Sequence, residues 1–160
     1  MTPATIDGAR ILLRERFGHT AFRPGQERAV ESVLGGRDTL VILPTGGGKS
    51  LCYQVPALLL DGLTVVVSPL ISLMKDQVDG LTANGVSAGC LNSGMSTREI
   101  ARVTKQAESG KLKLLYVAPE RLGIGDFRSW LAGLNVTLVA IDEAHCISEW
   151  GHDFRPEYRN

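Results

Sequence analysis

The sequence predicts an α/β fold: a mostly parallel sheet with helices on both faces. Short apolar runs at 39–43, 63–67, 88–91, 112–117 and 136–141 alternate with segments of helical periodicity. Leu63 to Val67 is an uncharged run, β-branched at every residue after the first, as suits a strand covered on both faces. Turn signals such as Asp61-Gly62 and Ser68-Pro69 separate the runs, and strand–helix alternation with right-handed crossovers gives a parallel sheet.

The elements follow in order. A helix over Ile6 to Phe17 ends at Gly18, and a second runs from about Pro24 to Leu34, opened by the proline and stopped by Gly35-Gly36. Thr39 to Leu43 is then expected as a buried strand. After a glycine loop a helix starts near Gly48, and Pro56 is expected to kink it or end its first segment. Leu63 to Val67 follows as a strand, and Ser68 caps a helix with Pro69 in its first turn. Helical spacing turns Leu70, Leu73, Met74, Val78 and Leu81 inward until Gly85. After the strand at 88–91, Ser96-Thr97-Arg98-Glu99 is a capping box opening a helix with Ile100, Val103 and Ala107 inward. Strands at 112–117 and 136–141, with a short helix near Phe127 to Leu134 between them, complete the set. Two segments are expected: a helical one over 1–36 and the sheet-bearing one over 37–160.

Composition excludes several classes. With 44% apolar and 21% charged residues in 160, the chain reads as one ordinary folded domain. Its apolar runs are far shorter than the roughly 20 residues of a membrane helix, so no membrane partner is expected and a cytoplasmic, nucleoid-associated location is. The three cysteines are too few and too scattered for a disulfide framework or zinc site. Lysine plus arginine balance aspartate plus glutamate at 17 each, so any contact with nucleic acid depends on a local surface.

Chemistry concentrates at Leu43-Pro44-Thr45-Gly46-Gly47-Gly48-Lys49-Ser50, between a predicted strand and helix. The glycines let backbone N–H groups converge on phosphate oxygens, and the helix start adds its positive dipole. Lys49 reaches the outer phosphates and the Ser50 hydroxyl suits Mg²⁺. Thr45, Gly46, Gly47, Gly48, Lys49 and Ser50 are therefore candidate nucleotide-binding residues, although Leu43 stands where the strict pattern has glycine. A flexible turn would not need lysine and serine directly at the helix start. Leu138 to Ile141 then delivers Asp142-Glu143 at a strand's carboxyl end, where α/β sheets bind ligands. Asp142 suits the Mg²⁺ shell and Glu143 suits polarising an attacking water; with Lys49 they are the candidate catalytic set. ATP and Mg²⁺ are the expected cofactors.

These residues carry a resemblance. Asp142-Glu143-Ala144-His145 is the DEAH form of a superfamily-2 helicase motif, and Cys146 to Pro156, with Trp150 and Phe154, resembles the aromatic-rich loop of RecQ helicases. Phe17-Gly18 with Phe22 to Gln26 is similar to that family's adenine-recognition motif, and Leu43 to Gln54 to its phosphate loop, replaced first glycine included. Val65 to Val78 and Tyr116 to Leu122 resemble its DNA-side motifs, so the likeness spans nearly the whole chain.

The resemblance implies a RecA-like first motor lobe of an ATP-dependent 3′-to-5′ DNA helicase of recombination and repair. It implies adenine contacts by Arg23 and Gln26 and DNA-backbone contacts near Ser68 and Arg121. A glutamine amide suits both the N6 amine and N7 of adenine. Trp150 and Phe154 suit stacking on unpaired bases, while docking onto further protein stands as the other reading, above all for Tyr158. The acidic neighbours Glu149, Asp153 and Glu157 mean that phosphate affinity arises elsewhere. The family implies that this loop couples DNA contact to hydrolysis, with His145 and His152 as relay candidates; a lone histidine is more commonly structural. The expected partner within the parent protein is a second RecA-like lobe bringing an arginine finger, and the sheet is expected to take a further strand from that parent. Alone, the chain is expected to bind ATP, hydrolyse it poorly and not unwind. Two other readings stand: an RNA-remodelling ATPase lobe and a non-catalytic nucleotide-binding interaction module.

Overall fold

The computed structural model describes residues 4–42 and 48–142. The chain forms two compact units, Met1–Asp61 and Gly62–Asn160.

Among its described residues the first unit holds three helices: α1 (Ile6–Glu15), α2 (Gln26–Leu34) and α3 (Leu51–Leu59). Thr5 caps α1, its hydroxyl accepting from Gly8 N–H, and Asp7 sits in the first turn where the helix dipole favours it. Opposite the core, Arg10 binds both Asp7 and Glu27, tying α1 to α2. Ala9, Leu12 and Leu13 of α1, Val30 of α2, and Val55 and Leu59 of α3 form the buried centre, with Phe17 and Phe22 packed against it. Helix α2 begins two residues later than Pro24 suggests, because Gly25 adopts φ +89° as its N-cap. Pro56 does not end α3, which continues through it to Leu59; the proline removes only the one bond its own N–H would have made to the Cys52 carbonyl.

The expected strand at 39–43 is not formed over its described part. Among the described residues, 39–42 have no ladder partner; Leu40 is 77% and Ile42 85% exposed. An extended segment becomes a strand only when a neighbour takes its N–H and C=O groups. Here Thr39 is fixed locally instead, its Oγ1 meeting the Ser32 hydroxyl and the Arg37 carbonyl.

Among its described residues the second unit carries a four-stranded, all-parallel sheet in the order β2-β3-β1-β4. Its strands are β1 (Leu63–Val67), β2 (Ala88–Leu91), β3 (Leu114–Val117) and β4 (Val136–Ile141). Every residue of β1 and β3 is buried, as the unbroken apolar pattern predicts for central strands. The edge strand β4 is less covered, and its Val139 is 48% exposed.

Helices α4 (Ile71–Ala83), α5 (Thr97–Glu108) and α6 (Gly125–Ala132), with the 3₁₀ turn η1 (Pro119–Gly123), connect the strands. The Ser96/Glu99 capping box is present in full, and Val103 and Ala107 of α5 enter a core with Val65, Val67, Leu115 and Val117 of the sheet. Helix α4 departs from expectation. Ser68 does not cap it; the helix starts at Ile71, and the Ser68 hydroxyl accepts from Leu70 N–H in a short turn before it. Starting later, α4 buries Met74 and Leu81 fully, half-buries Val78, and leaves Leu70 and Leu73 exposed. Burial raises the thiol pKa of Cys52 and Cys90, fitting packed rather than reactive cysteines. No described helix is long and apolar enough to cross a membrane.

Candidate nucleotide site

The described part of the glycine loop is its junction with α3. Gly48 has φ +77°, a conformation glycine adopts without strain. Its carbonyl accepts from Leu51 N–H at 3.2 Å, Lys49 C=O from Cys52 N–H at 3.1 Å, and Ser50 C=O from Gln54 N–H at 2.9 Å. The three residues thus wind directly into the helix. Ser50 is the N-cap, yet its hydroxyl makes no capping bond, and the Lys49 side chain is exposed. A hydroxyl left out of the cap and an exposed ammonium at a helix start are the groups a phosphate and its cation require. Thr45, Gly46 and Gly47 lie outside the described residues.

Next to this junction stands Gln26. It is 1% exposed; its amide oxygen accepts from Arg23 N–H at 2.7 Å, and its amide nitrogen donates to the Gly48 carbonyl at 3.0 Å. The first unit therefore brings Arg23, Gln26, Gly48, Lys49 and Ser50 into one neighbourhood. The Gln26–Gly48 contact is not visible in a linear reading, because the two residues share no motif.

In the second unit the candidate residues gather at the carboxyl end of the parallel sheet. Asp142 follows β4 directly, and its N–H donates to the Val67 carbonyl at 2.9 Å, which extends the ladder one residue and holds its backbone in place. Ser68 follows β1; it is 3% exposed and its N–H donates to Val117 C=O at 3.1 Å. Arg121 lies in η1 after β3. Its guanidinium sits 5.4 Å from the Phe127 ring centroid, and its Nε is buried without a hydrogen-bond partner among the described residues. Leu91, Thr104, Ile124, Asp126, Phe127 and Trp130 line a cavity of about 300 Å³ beside it. Glu143, His145, Trp150, His152 and Phe154 lie outside the described residues.

The sequence model of the DEAD/DEAH box helicase family matches residues 23–160. The chain belongs to that family. Membership implies ATP binding. Among its relatives, the chain is 55% identical over 150 residues to the ATP-dependent DNA helicase RecQ of Haemophilus influenzae, covering 94% of this chain and 24% of that protein. It is 54% identical over 153 residues to the RecQ of Bacillus subtilis, covering 95% of this chain and 26% of the other. The chain thus spans about a quarter of the length of these curated relatives, and the RecQ resemblance read from its motifs holds. A solved structure titled a hypothetical ATP-dependent RNA helicase, from Sulfolobus tokodaii, superposes with a TM-score of 0.67 at 26% identity, covering 94% of this chain and 44% of that one. The RecA-like α/β fold of this family is therefore the fold of the chain.

Proposed function

We propose that the chain is the ATP-binding first motor lobe of a 3′-to-5′ DNA helicase acting in recombination and repair. The observation that carries this reading is the Gly48-Lys49-Ser50 junction, with its exposed lysine and uncapped serine at the start of α3, in a chain more than half identical to RecQ helicases. Lys49 and the loop Thr45 to Gly48 hold the phosphates of ATP, and Arg23 and Gln26 recognise the adenine. Ser50 and Asp142 supply hard oxygen donors of the kind Mg²⁺ takes, which would neutralise phosphate charge when bound. Glu143 orients and polarises the attacking water. Segment 1–36 serves the base and 37–160 serves the phosphates and the DNA.

DNA contact falls to Ser68 and Arg121 on the backbone and to Trp150 and Phe154 stacking on bases, with His145 and His152 relaying that contact to the carboxylates. DNA is favoured over RNA because identity to the DNA helicases is 54–55%, against 26% for the relative titled an RNA helicase. The site of action is the cytoplasm, at the nucleoid. Spanning a quarter of its relatives, the chain binds ATP alone but leaves fast hydrolysis and unwinding to the assembled protein, since an arginine finger in related phosphoryl transfer contributes roughly 10³–10⁵ in rate.

Fluorescence anisotropy with single-stranded DNA and RNA of one sequence tests the substrate reading. The expected result is tighter binding of DNA, weakened about tenfold in Trp150→Ala by loss of one stacking contact. Equal or tighter binding of RNA would instead support the RNA-remodelling alternative, and duplex unwinding by the chain alone would overturn the single-lobe reading.

A further inference from the structure

We infer that Phe127 is a positioning residue for the nucleic-acid strand: its ring seats the Arg121 guanidinium and so presents that charge to a backbone phosphate, with Trp130 and Glu108 holding the ring in place. This deepens the proposed function and rests on its reading of Arg121 as a DNA-backbone contact.

The backbone of Arg121 is fixed by the 3₁₀ turn η1, where its N–H donates to Ala118 C=O and its carbonyl accepts from Ile124 N–H, both at 3.1 Å. The turn does not fix the side chain, because several free rotations separate Cα from the guanidinium. What meets the guanidinium is the Phe127 ring, its centroid 5.4 Å away, inside the range in which a ring face attracts a cation. Nε is buried there, while the residue as a whole is only half-buried.

Among the described residues the Arg121 side chain makes no hydrogen bond and no ion pair, although Asp126 lines the same cavity. The kind of partner matters. A carboxylate would neutralise the charge and occupy the planar N–H fork, whereas a ring face attracts the cation and leaves the fork open to a phosphate. Phe127 is itself held: it is buried in the core of the second unit, and its ring packs against Trp130 at 5.6 Å between centroids. The Trp130 indole N–H donates to the Glu108 carboxylate at 3.0 Å, which ties α6 to the end of α5. The seat therefore orders Arg121 before a strand arrives, and less side-chain freedom is lost on binding.

Fluorescence anisotropy with a labelled oligothymidylate over a range of salt concentrations tests this. Arg121→Gln is expected to weaken binding and to make the slope of log K against log salt shallower by about 0.7, the share of one phosphate contact on a single strand. Phe127→Leu removes the ring face and is expected to weaken binding about fivefold, with the slope moving the same way. Phe127→Met does so too and carries the test should the leucine variant fail to fold. Phe127→Tyr keeps the ring face and should retain both affinity and slope, and Phe127→Leu should cost nothing further in the Arg121→Gln background. A ring-removing variant with unchanged affinity and slope, a full further loss in the Arg121→Gln background, or a folded tyrosine variant as weak as the leucine one would overturn the inference, the reading of Arg121 standing. A folded wild type that does not bind, or an Arg121→Gln chain with wild-type affinity and slope, would overturn that reading and this inference together.

Discussion

Thr64, at the centre of the sheet, is fully buried, and its hydroxyl has no hydrogen-bond partner among the described residues. A buried hydroxyl without a partner costs stability that valine of the same outline does not. Thr64→Val is expected to raise the thermal midpoint, by about 1 kcal/mol in stability; a lowered midpoint would mean the hydroxyl is satisfied. Gly62 makes the opposite case. It turns the chain into β1 at φ +97°, and a Cβ there would stand 2.6 Å from the Asn135 carbonyl oxygen, the acceptor of Leu63 N–H. Gly62→Ala combines a left-handed backbone with a backbone collision and is expected to cost about 2 kcal/mol or more by denaturant unfolding. The turn was legible from Asp61-Gly62, but the reason only glycine fits was not, because Asn135 lies far along the chain.

At the scale of elements, what local chemistry specifies was readable and what pairing specifies was not. The Ser96/Glu99 capping box is local: two bonds within four residues, unaffected by whatever else the chain does. Ser96→Ala is expected to destabilise by about 1 kcal/mol. The bonds from Ser96, backbone first and hydroxyl second, hold the Glu99 carboxyl below its ordinary value of 4.5. A carboxyl lowered by folding stabilises the fold above its unfolded value and loses that contribution as pH falls through its folded one. The midpoint gap between wild type and Glu99→Gln should therefore close as pH drops below 4.5, and a constant gap would contradict the bond. By contrast, residues 39–42 have the composition of a strand, yet no described strand pairs with them, and pairing is a property of the sheet rather than of the segment. Helix α4 departed in a subtler way: Ser68 offered itself as a cap, but its hydroxyl closes a turn to Leu70 N–H, and Leu70 and Leu73 stand exposed.

At the scale of the whole molecule, the parallel α/β architecture and the family were both legible, because continuous apolar strands and contiguous motifs survive in a linear reading. Lys49 and Ser50 sit at the start of α3 and Asp142 at the carboxyl end of the sheet, as the loop-to-helix and strand-end patterns predict. The Gln26 brace on Gly48 and the setting of Arg121 against Phe127 were not legible, since both join residues from separate segments. A neutral chain with 17 acidic and 17 basic residues has no global basic field, so the proposed nucleotide contact of Lys49 is a local one. The most direct measurement of the central claim is equilibrium binding of a fluorescent ATP analogue with Mg²⁺ to the folded chain, in wild type and Lys49→Ala, with GTP as competitor. Saturable binding, weakened about 10- to 100-fold by loss of the charged phosphate contact and poorly competed by GTP, is the expected result. A folded wild type that fails to bind, or a Lys49→Ala chain that binds as tightly, would contradict the assignment of this junction as the ATP site.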